Sequence, residues 1–483
     1  MSTIVISERY CKIVDEDDAR FLKLLDKELS FRIQGAEFSP AFKCGRWDGF
    51  QRILTSDLKF SYGLLPRVID FYSSHNKQLS VEDERLPKSI SSKIDIITKL
   101  NSLGKPPRKY QMDVLDVIDK SDCGILRLAT GSGKTVISAL VTAYFGKPTI
   151  VFVIGTTLLY QTRKLFQSLF DEPIGIVGDG LCEIHDINIV SVWTAGQALG
   201  LKSDEIAEDV DDERGISEDK YVQIRNMLRS AKLIQFDECH LAASATFVAI
   251  SKATNPEHIY GLSATPWRDD GADLLIESVL GKYIVDVPAS VLIEQGYLVK
   301  PVIKFIKAKK YPEKLPKNYQ TIYKKYIVEN EDRNKQIVDA AVKLTNLGYQ
   351  TLVSFNSINH GNILFDLISK NIPSILLSGK DSIDIRNSAL DKLESKTIKC
   401  IIGSRVSDIG WDCPTLSGLV IASGGKSSVR SLQRIGRLVR PAPGKKTAAI
   451  VDFYDDVHYL KDHSKARYEI YTSERAFDVT WIK

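Results

Sequence analysis

The sequence lacks both paired cysteines and long hydrophobic runs. Its seven cysteines are scattered, with no Cys-x-x-Cys pair and no matching histidine spacing, which argues against a disulfide framework and a zinc site. No stretch approaches the ~18 consecutive apolar residues that a membrane helix needs. The first residues lack a basic region followed by an apolar run, so no secretion signal is visible. We therefore expect a protein without a membrane segment that stays in a cytoplasm.

Length and charge limit the architecture and the partners. A chain of 483 residues exceeds one ordinary core and indicates about three domains. The net charge is only +4, but Ser203 to Asp219 holds nine acidic residues against one arginine. That stretch carries −8 and the rest of the chain +12, which is typical of a protein that binds polyanions. We interpret residues 202–219 as an acidic insertion at the surface.

The strongest motif is the run Leu-Arg-Leu-Ala-Thr-Gly-Ser-Gly-Lys-Thr, which ends at Thr135. An apolar lead-in predicts a buried strand and the following residues predict a helix, so the glycines lie in a strand-to-helix turn. Such a turn binds phosphate through backbone N–H groups and the positive end of the helix dipole. Lys134 is expected to bind the β- and γ-phosphates of a nucleotide, and the Thr135 hydroxyl to ligate Mg²⁺. The other nucleotide-contacting loop residues are expected to be Ala129, Thr130, Gly131, Ser132 and Gly133.

The loop departs from the general pattern at one position, because Leu128 stands where a small residue is usual. Upstream of the loop, Gln111 has a side-chain amide whose donor and acceptor match N6 and N7 of adenine. We therefore expect Gln111 to contact the base of the nucleotide.

The second strong motif is Asp237-Glu238-Cys239-His240. The apolar run before it predicts a buried strand that presents two adjacent carboxylates at its tip. Asp237 is expected to hold Mg²⁺, and Glu238 to polarise the attacking water. His240 is expected to join the region that senses the γ-phosphate.

Several hydroxyl groups follow predicted strands of the same half, including the predicted strand Ile184 to Val192. Ligands bind at the carboxyl ends of parallel strands, so these hydroxyls could contact a sugar-phosphate backbone. The threonines fit helix capping equally well, and both interpretations stay open. The residues concerned are Thr156, Thr157, Thr194, Ser263 and Thr265.

Residues 1–84 predict a small α+β domain, and the polar residues 85–107 a linker. Within the small domain, Ser39 to Gly49 is rich in turn-forming, basic and aromatic residues. Trp47 could be a core aromatic that closes the domain or a nucleic-acid contact. The nearby Lys43, Arg46 and Arg52 favour a binding face.

From about residue 300 the alternation of strands and helices starts afresh, without a second phosphate loop. Arg437 and Arg440 lie three residues apart near a predicted helix and therefore share a face. Two guanidinium groups on one face suit a phosphate. We expect them to act as arginine fingers on a γ-phosphate that the first half holds.

Taken in order, these motifs resemble those of superfamily 2 helicases. The resemblance rests on Gln111, Ala129 to Thr135, Gly155 to Gln161, the Asp-Glu-Cys-His box, Ser263-Ala264-Thr265, Thr351 to Gly361, Gly410-x-Asp412 and Gln433 to Arg440. The Asp-Glu-Cys-His box and the run Gly45-Arg46-Trp47-Asp48-Gly49 further resemble the bacteriophage UvsW-type helicases.

The resemblance implies an α/β fold with two RecA-like parallel-sheet lobes in tandem, residues 108–290 and 291–483, preceded by the small α+β domain. It implies ATP and Mg²⁺ as cofactors, with Gly410 and Asp412 also at the nucleotide. It further implies DNA as the partner, with Asn356, Arg46 and Trp47 among the DNA contacts. If the chain is encoded by a phage, its compartment is the cytoplasm of the bacterial host.

The implied function is ATP-dependent helicase activity on forks, Holliday junctions and R-loops in phage recombination, repair or replication. We expect a monomer that works with replication or recombination proteins. Three further interpretations stay open: a duplex translocase without strand separation, an RNA helicase, and a scaffold built on an inactive ATPase core. The intact set of Lys134, Asp237, Glu238, Arg437 and Arg440 argues against the scaffold.

Overall fold

The computed structural model describes residues 2–88, 93–146, 148–201, 217–239, 245–265, 273–308, 318–378, 381–404, 413–425 and 428–482. Most of the acidic insertion, His240, Gly410 and Asp412 lie outside these ranges, so their expected roles remain predictions. The chain forms two compact units. One unit comprises Met1–Leu128 and Gly133–Asp286, and the other comprises Ala129–Ser132 and Val287–Lys483.

The N-terminal part of the first unit is the expected α+β arrangement. Its main sheet has the order β5-β2-β1-β6, and β3 and β4 form a separate antiparallel pair. The strands are β1 (Ser2–Ser7), β2 (Tyr10–Val14), β3 (Ser30–Arg32), β4 (Phe50–Arg52), β5 (Lys59–Ser61) and β6 (Leu79–Asp83). The helices are α1 (Ala19–Glu28), α2 (Pro40–Lys43) and α3 (Leu65–Ser74), with 3-10 turns at Ala36–Phe38 and Tyr62–Leu64.

This N-terminal part packs against α11 (Asp273–Leu280) of the same unit. Leu274 joins its hydrophobic core, and a Cβ on Gly63 would lie 2.3 Å from the carbonyl oxygen of Glu277. Arg67 donates to the Glu277 carboxylate at 2.6 Å, and Arg9 donates to the Val279 carbonyl at 3.1 Å. The small domain is therefore bound to the first lobe by apolar, ionic and backbone contacts together.

The rest of the first unit is built around an eight-stranded sheet with the order β10-β9-β11-β8-β12-β13-β7-β14. The strands β7, β13, β12, β8, β11 and β9 pair in parallel, and β10 is antiparallel to β9. The strands are β7 (Cys123–Leu128), β8 (Thr149–Val153), β9 (Ile174–Gly178), β10 (Leu181–Glu183), β11 (Ile187–Ser191), β12 (Leu233–Asp237), β13 (His258–Ser263) and β14 (Tyr283–Val287). The other helices up to the unit boundary are α4 (Ile97–Ser102), α5 (Lys109–Ile118), α6 (Lys134–Phe145), α7 (Thr156–Leu169), α8 (Val192–Ala198), α9 (Glu218–Ser230) and α10 (Ala245–Ala253).

Two segments of the first lobe differ from the sequence-based expectation. The predicted strand Ile184 to Val192 is the shorter β11, and Val192 already begins helix α8. Residues 85–107, expected to be a linker, contain α4, whose Leu100 is buried in the core of the lobe. Ile96 and Leu100, four residues apart, are buried in that core, whereas most of the other described residues of the segment are exposed.

The second unit contains a seven-stranded sheet of the order β17-β18-β16-β19-β20-β15-β21, with parallel pairing throughout. The strands are β15 (Lys300–Lys307), β16 (Thr351–Phe355), β17 (Ser374–Leu377), β18 (Cys400–Ser404), β19 (Gly418–Ile421), β20 (Thr447–Tyr454) and β21 (Asp478–Ile482). The helices are α12 (Ala289–Glu294), α13 (Tyr319–Tyr323), α14 (Glu331–Asn346), α15 (Ile358–Ile368), α16 (Ile383–Glu394), α17 (Ser428–Leu438) and α18 (Leu460–Ser473), with a π-helical turn at Lys324–Val328.

These two parallel sheets with flanking helices confirm the expected α/β class with RecA-like lobes in tandem. All seven cysteines are free thiols, and four of them are buried as small apolar residues usually are. Among the described helices, none combines the length and apolar character needed to cross a bilayer.

The buried His360 on α15 makes the stability of the second unit depend on pH. Its Nε2 lies 2.9 Å from Asn334 Oδ1, and burial, with the nearby Arg333 charge second, lowers its pKa to about 3. Below the ordinary histidine pKa of ~6.5, the unfolded chain binds a proton that the folded unit cannot accept. Stability is therefore lost as the pH falls from ~6.5 towards 3, by up to about 1.4 kcal/mol per pH unit.

We expect His360→Gln, whose amide can still donate to Asn334, to remove this dependence. The measurement is the urea midpoint of wild type and variant at pH 7 and pH 5. The stability difference between the two proteins should shift by about 2 kcal/mol in favour of the variant at pH 5. The exposed His75→Gln serves as the control, and an identical shift in both variants would contradict the assignment to His360.

Candidate active site

The phosphate loop joins the end of β7 to the start of α6. Gly131 has φ +87° and Gly133 has φ +79°, a region where side chains other than glycine are strained. A Cβ on Gly133 would also lie 2.8 Å from Nε2 of Gln111. The turn is closed by a hydrogen bond from the Ser132 N–H to the Ala129 carbonyl at 3.0 Å. Both glycines are therefore required by backbone conformation.

Helix α6 fixes the position of Lys134, its first residue. Eight of its side chains are buried, so packing on nearly all sides holds the helix in the lobe. Within the lobe, Gln235 of β12 donates from Nε2 to the Ser138 carbonyl at 3.1 Å and to the Thr142 hydroxyl at 2.9 Å. This buried amide joins the helix that begins at Lys134 to the strand that ends at Asp237.

The two carboxylates at the tip of β12 face the ammonium of Lys134. Its Nζ lies 2.5 Å from Glu238 Oε1 and 3.8 Å from Asp237 Oδ1. Glu238 has φ +54°, a sparsely populated conformation for a side chain of this type that is often found at functional sites. Although burial opposes the charged form, the charges of Glu238 and Asp237 outweigh it and raise the pKa of Lys134. The lysine is thus a half-buried cation with two anionic neighbours.

Ser263 extends this network to the tip of the neighbouring strand β13. Its hydroxyl donates to Glu238 Oε2 at 3.2 Å and accepts the N–H of Thr265 at 3.2 Å. Ser263 and Thr265 are both fully buried, and of their two hydroxyls that of Ser263 contacts the carboxylate of Glu238. The expected contact of these residues with DNA stays a prediction. The contacts of Lys134, Glu238 and Ser263 therefore connect the start of α6 with the ends of the neighbouring strands β12 and β13.

The candidate arginine fingers lie in the second unit. Arg437 lies in α17, Arg440 follows two residues after the end of this helix, and both are half-buried. Arg434 of the same helix is buried, and its Nη1 donates to the Ser423 hydroxyl at 3.2 Å. Asn356 is exposed directly after β16.

Three protein families match consecutive parts of the chain. The family described as DNA helicase UvsW, N-terminal, matches residues 6–82, and the family described as type III restriction enzyme, res subunit, matches residues 104–268. The helicase conserved C-terminal domain matches residues 333–442. The ATP-dependent DNA helicase uvsW of Enterobacteria phage T4 is 26% identical, over 96% of this chain and 95% of that protein. This chain is a superfamily 2 helicase.

Two further similarities concern the helicase part and the fold. The DNA 3'-5' translocase XPB2 of Sulfurisphaera tokodaii is 23% identical over 69% of this helicase and 78% of that protein. The solved structure of S. cerevisiae Dbp5 bound to RNA and ADP BeF3 has a TM-score of 0.54 at 15% identity, and covers 82% of this chain and 96% of that one. This last similarity concerns the fold alone. Along nearly its whole length the helicase resembles the phage UvsW type.

Several residues expected to contact ligands have structural partners in the helicase. Gln111 is buried, and its Oε1 accepts the backbone N–H of Arg108 at 2.9 Å, which caps α5. Thr194 is buried in α8, and the expected contact of its hydroxyl with a DNA backbone stays a prediction. Thr156 and Thr157 lie half-buried in the first turn of α7, and Gly155 is the N-cap. Capping therefore does not account for these two threonines.

The basic and aromatic run of the N-terminal domain divides between structural and exposed side chains. Trp47 is half-buried, and its Nε1 donates to the Phe50 carbonyl at 2.8 Å. Arg52, expected to favour a binding face, pairs with Asp26 at 2.9 Å and Asp48 at 2.5 Å. Arg46 is exposed. The charge of Arg52 is therefore compensated within the domain, whereas Arg46 lies at the surface.

The oxygen atoms near Lys134 fit a magnesium ion in chemical type. Lys134, Thr135 and Asp237 line one small cavity between α6 and the sheet. Hydroxyl and carboxylate oxygens are the ligands that Mg²⁺ prefers.

The sequence analysis did not single out Gln235, although an amide within an otherwise apolar strand was a visible signal.

We expect Glu238→Gln to lower the kcat of ATP hydrolysis by about 10²- to 10⁴-fold, because the amide cannot act as a general base. ATP affinity should stay within a few-fold, since the side chain keeps its shape. Steady-state hydrolysis and binding of a fluorescent ATP analogue measure the two effects. Glu183→Gln, which alters an exposed carboxylate paired with Arg163, is the control. A variant that hydrolyses ATP at the wild-type rate would place the base elsewhere.

Proposed function

We propose that this superfamily 2 helicase couples ATP hydrolysis to the unwinding or branch migration of forks, Holliday junctions and R-loops. The observation that carries the proposal is the match of residues 6–82 to the UvsW N-terminal family, together with similarity to the phage T4 helicase along nearly the whole chain. The added N-terminal domain is bound to the first lobe, which contains the Lys134 and Glu238 pair. A DNA segment bound by this domain would therefore move with that lobe.

Lys134 would exchange partners when ATP binds. Its ammonium neutralises Glu238 in the structure, and the phosphates of ATP are stronger anions that compete for it. Transfer of Lys134 to the phosphates would leave Glu238 free to orient and polarise the attacking water. Thr135 and Asp237 would hold Mg²⁺, which supplies positive charge for the phosphates. Ser263 would keep the Glu238 carboxylate in position through its hydroxyl.

Arg437 and Arg440 would stabilise the charge that develops on the γ-phosphate, and Gly410 and Asp412 would line the same nucleotide. Arg437 lies in α17 and Arg440 two residues after its end, so the two guanidinium groups come from one short segment, which suits a single phosphate group. Repeated exchange between ATP-bound and product states would alternate the grip of the two lobes on DNA. On the DNA side we propose contacts from Arg46, Trp47, Thr156, Thr157 and Asn356.

A duplex translocase is the second candidate, because the chain is similar to the Sulfurisphaera tokodaii protein named as a translocase. An RNA helicase is the weaker candidate. The deciding experiment is steady-state ATP hydrolysis by the full chain without nucleic acid and then with single strand, duplex, fork, four-way junction and RNA, with Lys134→Ala as the blank. Stronger stimulation by forks and junctions than by duplex supports the proposal. Equal stimulation by duplex favours the translocase, and stronger stimulation by RNA favours the RNA helicase.

We also propose that the helicase acts as a monomer, with replication or recombination proteins as partners. Light scattering of the full chain with and without a forked DNA would test the first part of this statement. A mass of two or more chains per fork would contradict it.

We expect Arg440→Ala to lower DNA-stimulated kcat by about 10³-fold or more, because arginine fingers contribute about 10³ to 10⁵ in rate. The affinity for ATP should change by a few-fold at most. Hydrolysis assays and equilibrium nucleotide binding separate the two quantities. Arg386→Ala, in the separate helix α16 of the same unit, is the control. Wild-type turnover by the Arg440 variant would reject its role as a finger.

A further inference from the structure

The segment that leads into helix α17 is held by side chains from three other elements. Residues 422–425 follow β19, and α17 begins at Ser428. The carbonyl of Ala422 accepts from Arg333 of α14 at 2.8 Å, and the carbonyl of Ser423 accepts from Tyr323 of α13 at 2.8 Å. The carbonyl of Gly425 accepts from Arg467 of α18 at 2.8 Å. Three of four consecutive carbonyls in this segment are thus bound from outside it.

Both arginines are buried and their charges are compensated. Arg333 pairs with Asp455 through contacts of 2.8 and 3.2 Å, and both side chains are fully buried. Arg467 pairs with Asp452 through contacts of 2.9 and 3.0 Å. Buried ion pairs of this kind often add little net stability over apolar side chains of similar size. Net stability therefore does not explain why these two arginines are buried and hydrogen-bonded to the carbonyls of residues 422–425.

Helix α17 binds the same segment from its own side. Arg434 is buried and donates to the Ser423 hydroxyl at 3.2 Å. It precedes Arg437 by three residues, so the two side chains lie on one face of the helix. Gly424 has φ +57°, and a Cβ there would lie 2.7 Å from Ile327. The path of the segment is therefore constrained by hydrogen bonds and by close packing.

We propose that Arg333 and Arg467, with Tyr323, are positioning residues for the arginine-finger step. They contact the carbonyls of residues 422–425 and so fix where α17 begins, which sets the placement of Arg437 and Arg440. Neither arginine is proposed to touch the nucleotide. The inference rests on the proposed role of Arg437 and Arg440.

The test replaces each ion pair by a neutral pair of similar size, Arg333→Met with Asp455→Asn and Arg467→Met with Asp452→Asn. No uncompensated charge remains, so each double variant should fold with a melting temperature within a few degrees of the wild type. DNA-stimulated kcat should fall about 10- to 100-fold, while KM for ATP and nucleotide affinity change less than about three-fold. If a double variant fails to fold, Arg333→Lys and Arg467→Lys keep the charge and remove the second donor.

A double-mutant cycle distinguishes positioning from a general structural defect. In an Arg440→Lys background, a positioning pair should cause a much smaller further fall than in the wild type, because both changes act on one step. A general structural defect would instead lower kcat by the same factor in the Arg440→Lys background as in the wild type. Arg225→Met, which removes an arginine-to-carbonyl hydrogen bond to Ala198 in the first lobe, is the matched control. Wild-type kcat in both pair variants, or fully multiplicative effects, would overturn the inference.

Hydrogen exchange gives a readout that does not depend on hydrolysis. The amides of α17, residues 428–438, should exchange at least ten-fold faster in the pair variants, whereas those of α14 should keep their rates. Unchanged exchange in α17 would overturn the inference even if turnover fell. Absence of DNA-stimulated hydrolysis in the wild type would instead reject the proposed function.

Discussion

The ion pair between Lys134 and Glu238 is the interaction on which the candidate active site depends. It joins the first residue of α6 to the tip of β12, and Ser263 continues it to the tip of β13. Lys134, Asp237 and Glu238 are all half-buried, where an uncompensated charge is costly, and together they compensate one another. The same charges that make this arrangement stable without a ligand are those that a nucleotide and a divalent cation would engage. The attraction between Lys134 and the two carboxylates therefore holds the functional side chains of the site together.

The surrounding lobe holds these groups in place by packing. Helix α6 is buried along most of its length, and β12 lies between β8 and β13 in the parallel sheet. Gln235 connects the two elements behind the charged groups. The N-terminal domain packs against the same lobe through contacts of Arg67, Gly63 and Leu274. The N-terminal domain is therefore a structural extension of the first lobe, from which Lys134 and Glu238 come.

The second unit uses a different means to hold its functional helix. Apolar contacts form its core, but the segment before α17 is bound by buried arginines that were not recognised in the sequence. Arg333 and Arg467 lie more than a hundred residues apart, in two different helices. Each lies at helical spacing from other buried residues of its helix, such as Ile337 in α14 and Tyr471 in α18, but this spacing does not identify its partner. Their role depends on contacts between distant elements.

Sequence alone determined the parts whose signal is local. The phosphate loop, the paired carboxylates and strands such as Thr351–Phe355 follow from short-range pattern, because glycine conformation, alternation and apolar runs act over a few residues. Tertiary structure alone decided that Ser263 faces Glu238, that Thr194 is buried and that Gln111 caps a helix. A hydroxyl or amide at a strand or helix end has the same local signature whether it meets DNA, nucleotide or protein. Only the packing of neighbouring elements determines which of these partners it meets.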